Sequence, residues 1–129
     1  MQEPRWIEKQ LVLLLHSLQL KAFGGSDGIR DLTLLESALA KPQNLLAYGD
    51  PDVFDLAASY AYGIARNHPF VDGNKRTALV VSETFLEYNG WEATMSEEAN
   101  YLMFYDLAAG KVTERELAIW FRQNSSPVG

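Results

Sequence analysis

The stretch HPFVDGNKRTA, from His68 to Ala78, decides how this chain is organised. It joins two segments with helical spacing of apolar residues, and its own chemistry fits neither. Pro69 disfavours the α conformation at the residue before it, so the first of these helices is expected to end at Asn67 or His68. The second, which covers about 74–88, is apolar around most of its circumference, as is typical of a helix in the middle of a domain.

The start of that second helix combines side chains that local rules would keep apart. Asp72 or Asn74 could cap its free N–H groups, and Gly73 would let a ligand approach the backbone closely. Lys75 and Arg76 then fall in the first turn, where the helix dipole is positive and each cation costs roughly 0.3–1 kcal/mol. A bound anion would remove this conflict, because helix N-termini bind phosphate through backbone N–H groups. The order of residues therefore indicates an anion site.

Composition bounds the class of protein. The chain has 129 residues, 47% of them hydrophobic and 22% charged, which is typical of one soluble domain over residues 1–129. With 11 basic and 17 acidic residues its net charge is −6, which argues against direct nucleic-acid binding. The absence of cysteine excludes disulfides and thiolate metal sites. No basic leader or membrane-length apolar run is found, so we expect a cytoplasmic protein without membrane contact.

Apolar periodicity predicts six helical segments and almost no strand. The predicted helices cover 4–22, 31–40, 51–67, 74–88, 96–109 and a last segment that begins at a Thr113–Glu116 capping box. Residues 91–95 could form a short β stretch. The expected fold class is therefore all-α, a single compact helical domain.

Several boundaries of these helices follow from local signals. Pro42 is expected to stop the second helix. Asp50 is expected to cap the third, with Pro51 as its first residue. Residues 124–129 are predicted to form a frayed, flexible polar tail.

Some side chains are expected to have no special role. His16 lies off the apolar stripe of the first helix, so we expect it to be partly exposed. Glu83 and Glu87 are four residues apart and should mark the exposed stripe of their helix. The methionine and the aromatic residues in the 96–109 segment are expected in the core.

The loop FGGSDGIRD, residues 23–31, contains three glycines within five residues, Gly24, Gly25 and Gly28. Such a loop has a mobile or tightly turned backbone. It could be a plain connection between helices. Arg30 could be a charge flanking the next helix or a contact for a substrate or a partner.

The 68–78 stretch resembles the signature of the Fic/Doc family, which reads His-Pro-Phe-x-(Asp/Glu)-Gly-Asn-Gly-Arg-x-x-Arg. The positions from His68 to Asn74 match it. Lys75 replaces the next glycine, Arg76 is kept, and Leu79 stands where the last arginine would be. Lysine followed by arginine, without the final arginine, is typical of the Doc (death-on-curing) toxin branch. The resemblance extends over nearly the whole chain.

This resemblance implies a role for each polar residue of the stretch. It implies that His68 takes a proton from the target's hydroxyl group and that Asp72 binds Mg²⁺. It implies that the phosphate is bound by Gly73, Asn74, Lys75 and Arg76, of which the two cations are also catalytic. It further implies that loop 23–31 is a flap that pairs with the target backbone, with Gly24, Gly25, Gly28 and Arg30 as its substrate residues.

The implied function is that of the toxin of a type II toxin–antitoxin system. Such a protein is a Mg-ATP-dependent Ser/Thr kinase that phosphorylates a translation factor similar to elongation factor Tu and halts translation. The inhibitory pattern Ser/Thr-x-x-x-Glu-(Gly/Asn) of many Fic proteins is not found here, so a separate antitoxin chain is expected. Two alternatives stay open: transfer of AMP or another nucleotide part, and a catalytically silent binding module.

Overall fold

The computed structural model describes residues 2–129. Its elements are α1 (Lys9–Phe23), α2 (Leu32–Tyr48), α3 (Val53–Asn67), α4 (Asn74–Tyr88), β1 (Trp91–Ala93), α5 (Glu97–Ala108), α6 (Glu114–Gln123) and β2 (Ser125–Pro127). The two strands pair antiparallel, with Trp91 opposite Pro127 and Ala93 opposite Ser125. The prediction of an all-α fold of six helices with a short β stretch is confirmed.

Helix α3 lies at the centre of the fold. Its buried face includes Leu56, Tyr60 and Ile64, none of which is exposed. Small residues let neighbours approach closely: a Cβ added to Gly63 would lie 3.2 Å from the Cβ of Ala38 on α2. Helix α4 is the other central helix, and its inner side chains, such as Phe85, are also fully buried. The 68–73 connection therefore lies where two buried helices end and begin.

The first helix begins later than predicted, at Lys9 instead of Pro4. The preceding segment hydrogen-bonds to side chains of other elements instead. The N–H of Arg5 donates to Oδ1 of Asn89 at 2.9 Å, and the N–H of Ile7 donates to the hydroxyl of Tyr60 at 3.1 Å. Burial raises the pKa of Tyr60 to about 12. Tertiary hydrogen bonds thus override the helical spacing in this segment.

Pro42 does not stop the second helix, which continues to Tyr48. Inside a helix, proline removes one hydrogen bond and costs about 3 kcal/mol or more. Here Pro42 is buried on the same stripe of α2 as Leu35 and Ala38. That stripe packs against α3, and burial of apolar surface offsets the lost hydrogen bond.

Helix α3 begins two residues later than predicted. Asp52, not Asp50, is its N-cap, so Pro51 lies outside the helix. The side chain of Asp52 accepts from the N–H of Asp55, and the side chain of Asp55 accepts from the N–H of Asp52, each at 2.9 Å. The sequence did not indicate this reciprocal capping box, because an Asp–Asp pair differs from the usual Ser/Thr–Glu pattern.

The end of the chain is not a frayed tail. Residues 125–127 form β2, and the N–H of Thr94 donates to the carbonyl of Asn124 at 2.7 Å. By contrast, the predicted Thr113–Glu116 capping box of the last helix is confirmed. Ser96 accepts from Ala99, and the Thr113–Glu116 box has both of its hydrogen bonds.

No helix among residues 2–129 is long and apolar enough to cross a membrane.

Candidate catalytic and phosphate-binding site

His68 follows the last residue of α3 in a left-handed conformation, with φ 48° and ψ 56°. It is the sole non-glycine residue between 2 and 129 with a positive φ. Such conformations are rare for side-chain-bearing residues and cluster at functional sites. Its N–H donates to the carbonyl of Ile64 at 3.3 Å, while its imidazole is exposed. The backbone of His68 is thus tied to α3, and its ring is available to solvent and to a ligand.

Arg30 completes the end of α3. Its Nε donates to the carbonyl of His68 at 2.6 Å, and its Nη2 donates to the carbonyl of Asn67 at 2.7 Å. A cation at this position also complements the negative end of the helix dipole. Arg30 thus binds the end of α3, whereas the sequence suggested a charge flanking the next helix. Its other suggested role, as a contact for a substrate or a partner, stays a prediction.

The loop that follows is anchored by Phe70 and Asn74. Phe70 is buried. Oδ1 of Asn74 accepts from the N–H of Phe70, and Nδ2 of Asn74 donates to the carbonyl of Phe70, both at 2.9 Å. The Asn74 side chain therefore does not cap α4, and the expectation that it could is wrong. It fixes the shape of the loop instead.

Helix α4 begins without a side-chain cap. Its N-cap is Gly73, at φ 79°, and no side chain accepts a hydrogen bond there within residues 2–129. The expectation that Asp72 could cap this helix is also wrong. The first N–H groups of a helix have no intrahelical partner. The start of α4 can therefore offer them to an external anion.

The carboxylate of Asp72 points instead to the loop of residues 23–31, which we call the glycine loop. Its Oδ2 accepts from the N–H of Ser26 at 2.8 Å, and the residue is exposed. No group of three or more His, Cys, Asp or Glu side chains within the described part of the chain is arranged to hold a metal ion. A divalent ion at Asp72 would thus take most of its ligands from phosphate oxygens and water, which is how Mg²⁺ is commonly bound.

His16 is buried against the same loop, which contradicts the expected partial exposure. Its ring stacks on Phe70 with centroids 3.7 Å apart and planes 10° apart. Its Nε2 lies 2.8 Å from the carbonyl oxygen of Asp72. A carbonyl only accepts, so Nε2 carries the proton. The sequence offered no signal for this contact, because it joins a residue of α1 to a loop that is distant in the chain.

The glycine loop lies directly on the 68–73 loop. Ile29 is opposite Phe70 in an antiparallel bridge, with hydrogen bonds from the N–H of Arg30 to Pro69 and from the N–H of Val71 to Gly28. In such a pair the N–H and carbonyl of Ile29 point away from the partner strand. The outer edge of the loop can therefore accept a further extended segment.

Lys75 and Arg76 lie against aromatic rings. Nζ of Lys75 is 4.9 Å from the ring centroid of Tyr101 and 4.8 Å from that of Tyr105. Cζ of Arg76 is 4.4 Å from the ring centroid of Phe23. Both tyrosines are roughly half exposed, so the expectation that the aromatic residues of α5 lie in the core is wrong for them. None of the salt bridges within residues 2–129 involves Lys75 or Arg76.

A groove of about 560 Å³ borders Arg76 and contains Glu83. Glu83 is not on an exposed stripe, in contrast to the prediction, although Glu87 is exposed. Burial raises the pKa of Glu83, and the nearby Glu87 and Glu97 raise it further. Nδ2 of Asn100 donates a hydrogen bond to the Glu83 carboxylate, and this bond lowers the pKa and so opposes the other effects.

Helices α3 and α4, joined by a histidine-to-arginine loop and covered by a glycine loop, define a Fic-type site. The family model described as the Fic/DOC family matches residues 6–86. The chain is 42% identical over 87 residues to Toxin Doc of Mycolicibacterium smegmatis, covering 66% of this chain and 65% of that protein. It is 34% identical over 110 residues to Protein kinase doc of Escherichia phage P1, covering 84% of this chain and 83% of that protein. The chain thus spans just under two thirds of the first relative and most of the second. It belongs to the Fic/Doc family, in its Doc branch.

Proposed function

We propose that this protein is a toxin that transfers the γ-phosphoryl group of ATP to a hydroxyl side chain of a target protein. One observation carries the proposal: the exposed His68 precedes a helix start at which no side chain of residues 2–129 forms a cap and two cations have no carboxylate partner among those residues. The phage relative is named as a protein kinase, which agrees with this chemistry.

The phosphate chain of ATP would bind at the start of α4. The free N–H groups of the first turn and the helix dipole favour an anion there. Lys75 and Arg76 add positive charge at the same helix end, and Asn74 keeps the loop in shape by holding Phe70. Phosphoryl transfer is catalysed mostly by positioning and by stabilising charge on the transferred group. The two cations would perform that role.

His68 would act as the general base. Histidine is the side chain that most often serves as a general base in enzymes, and this role typically contributes about 10²–10⁴ in rate. Its ring would take the proton of the target hydroxyl as the bond from that oxygen to the γ-phosphorus forms. The bond between the γ-phosphorus and the bridging oxygen breaks at the same time, and ADP leaves. The proton on His68 is then released to water.

Asp72 would hold Mg²⁺. Its exposed carboxylate uses Oδ2 to fix Ser26 and keeps Oδ1 for an ion, and one carboxylate beside a phosphate site suits Mg²⁺. The ion, when bound, would neutralise part of the charge on the phosphates. Asp72 and the loop around it therefore fit the metal that the kinase reaction needs.

The flap offers a way to hold the target. The outward N–H and carbonyl of Ile29 could pair with an extended target segment and place its hydroxyl near His68. We propose a serine or threonine of a translation factor similar to elongation factor Tu as the acceptor, and a separate antitoxin chain as the inhibitor. Co-expression of the antitoxin encoded by the neighbouring gene should restore growth of cells that express this protein, and continued arrest would refute that part.

The reaction type is tested by comparing ATP labelled at the γ-phosphate with ATP labelled at the α-phosphate in cell lysate. Label transferred to protein only from the γ position is the expected result. Transfer from the α position would show nucleotide transfer instead. If no label is transferred from either position, and the His68→Ala variant still arrests growth, the protein would be a catalytically silent binding module.

A further inference from the structure

The cations at the start of α4 are held by ring faces instead of carboxylates. Tyr101 and Tyr105 lie four residues apart on α5, with ring centroids 6.4 Å apart, and both contact the Lys75 ammonium group. Phe23, at the end of α1, contacts the Arg76 guanidinium group. We call these three residues, Phe23, Tyr101 and Tyr105, the aromatic clamp.

This arrangement explains how Lys75 and Arg76 are tolerated at the positive end of the α4 dipole. Cations in the first turn of a helix are unfavourable because the dipole there is positive. The negative face of an aromatic ring attracts a cation and so offsets that cost. A carboxylate would do the same, but it would also neutralise the cation and compete with a phosphate. A ring carries no formal charge, so each cation keeps its full charge for an incoming anion.

We propose that the aromatic clamp consists of positioning residues, which hold the charged ends of Lys75 and Arg76 in place before ATP binds. The consequence for ATP rests on the proposed function, because it assumes that these two cations bind its phosphates. The placement of the two cations by the rings does not rest on the proposed function. Long side chains lose rotamer freedom when they bind a ligand, so cations already held by rings would bind phosphate at a lower entropic cost.

The first test does not depend on any activity. Protons on Cε of Lys75, assigned by NMR in the full chain, should be shifted upfield by the ring currents of Tyr101 and Tyr105. The shift should persist in the Tyr101→Phe, Tyr105→Phe double variant, which keeps both ring faces. It should disappear in the Tyr101→Leu, Tyr105→Leu double variant. An unshifted wild-type signal, or a shift that survives in the leucine variant, would overturn the proposal.

The second test uses kinetics. Each ring replaced by leucine should raise KM for ATP about two- to fivefold, from the usual strength of an exposed cation–π contact. The Tyr101→Phe and Tyr105→Phe variants should have the KM of wild type. Tyr48→Leu is the control and should also have the wild-type KM, because it removes an exposed tyrosine that is not part of the aromatic clamp. Thermal melting of each variant is measured in parallel. If the rings had only a structural role, the substitutions would lower Tm, but the leucine and phenylalanine variants would have the same KM for ATP.

Two results separate failure of the clamp from failure of the proposed function. Leucine variants with wild-type KM, or phenylalanine variants as impaired as the leucine variants, would overturn the clamp in an active enzyme. If wild-type protein transfers nothing from ATP, the proposed function fails. The NMR comparison then still decides whether the rings hold Lys75.

Discussion

Nε of Arg30 lies 2.6 Å from the carbonyl oxygen of His68, so the glycine loop (residues 23–31), which is the proposed flap, and the proposed catalytic base share a hydrogen bond. The same guanidinium also binds the carbonyl of Asn67. His68 is held in a left-handed conformation, with its N–H bound to the carbonyl of Ile64 and its own carbonyl bound to Arg30. This relationship makes Arg30 part of the support of His68.

Removing the Arg30 side chain should therefore loosen His68. We expect Arg30→Ala to lower the free energy of unfolding by about 1–2 kcal/mol, because two hydrogen bonds from a charged group are lost at a partly solvated site. Phosphoryl transfer should fall as well. Urea denaturation and the rate of transfer give the two readouts.

Arg30→Lys is the matched control for that change. Lysine keeps the charge at the end of α3 but cannot donate from Nε and Nη2 in the same fixed plane. Stability should be partly restored, while the transfer rate stays below that of wild type. If both variants had wild-type stability and rate, Arg30 would not support His68.

Gly25 tests how tightly the flap lies on Asp72. A Cβ at Gly25 would lie 2.9 Å from Cδ2 of Leu20 and 3.2 Å from the Cβ of Asp72, and its φ is 123°. Gly24 also has a positive φ, 83°, but among residues 2–129 no atom outside its chain neighbours would lie within 4 Å of a Cβ there. Gly24→Ala should cost about 1–2 kcal/mol of stability from backbone strain alone. Gly25→Ala should cost about 1–3 kcal/mol more, from overpacking.

The two alanine variants are compared by denaturation and by transfer rate. Gly25→Ala should also reduce transfer more than Gly24→Ala, because the flap must move away from Asp72 to accommodate the new methyl group. Equal losses in both variants would mean that the flap does not lie on Asp72 as described.

Glu83 should make stability depend on pH. Burial raises its pKa in the folded protein, so the folded state holds this proton more tightly than the unfolded state. The proton stabilises the fold at low pH, and that contribution is lost as pH rises from the unfolded-state pKa through the folded-state pKa. Glu83→Gln keeps an acceptor for Asn100 and cannot ionise. It should therefore be more stable than wild type near about pH 8, with little difference near about pH 4.

Thermal melts at several pH values measure this difference. Glu36→Gln, at an exposed position on α2, is the control and should show no comparable change with pH. A Glu83→Gln variant whose stability relative to wild type is independent of pH would show that the Glu83 carboxyl is not desolvated.

Local signals predicted the parts of the fold that depend on local chemistry. The helix Asn74–Tyr88 has the predicted bounds, because Gly73 precedes it and Asn89-Gly90 follows it. The capping box of Thr113 and Glu116 formed as expected, since both hydrogen bonds lie within one turn. The mixed charges of the 68–78 stretch indicate an anion site, which stays a prediction.

Contacts between distant segments could not be predicted in the same way. Pro42 continues its helix because it faces α3, and residues 125–127 are ordered because they pair with β1. His16, Tyr101 and Tyr105 touch the site from other helices. Periodicity describes which face of a helix is apolar, but it does not show which residue of another helix lies opposite.

The proposed role of His68 is tested most directly by intact-protein mass spectrometry of elongation factor Tu. The factor is incubated with Mg-ATP and this protein, or with its His68→Ala variant. We expect wild-type protein to add the mass of one phosphate, and the variant to be slower by about 10²–10⁴. Added mass equal to AMP, or equal phosphorylation by the His68→Ala variant, would contradict the account.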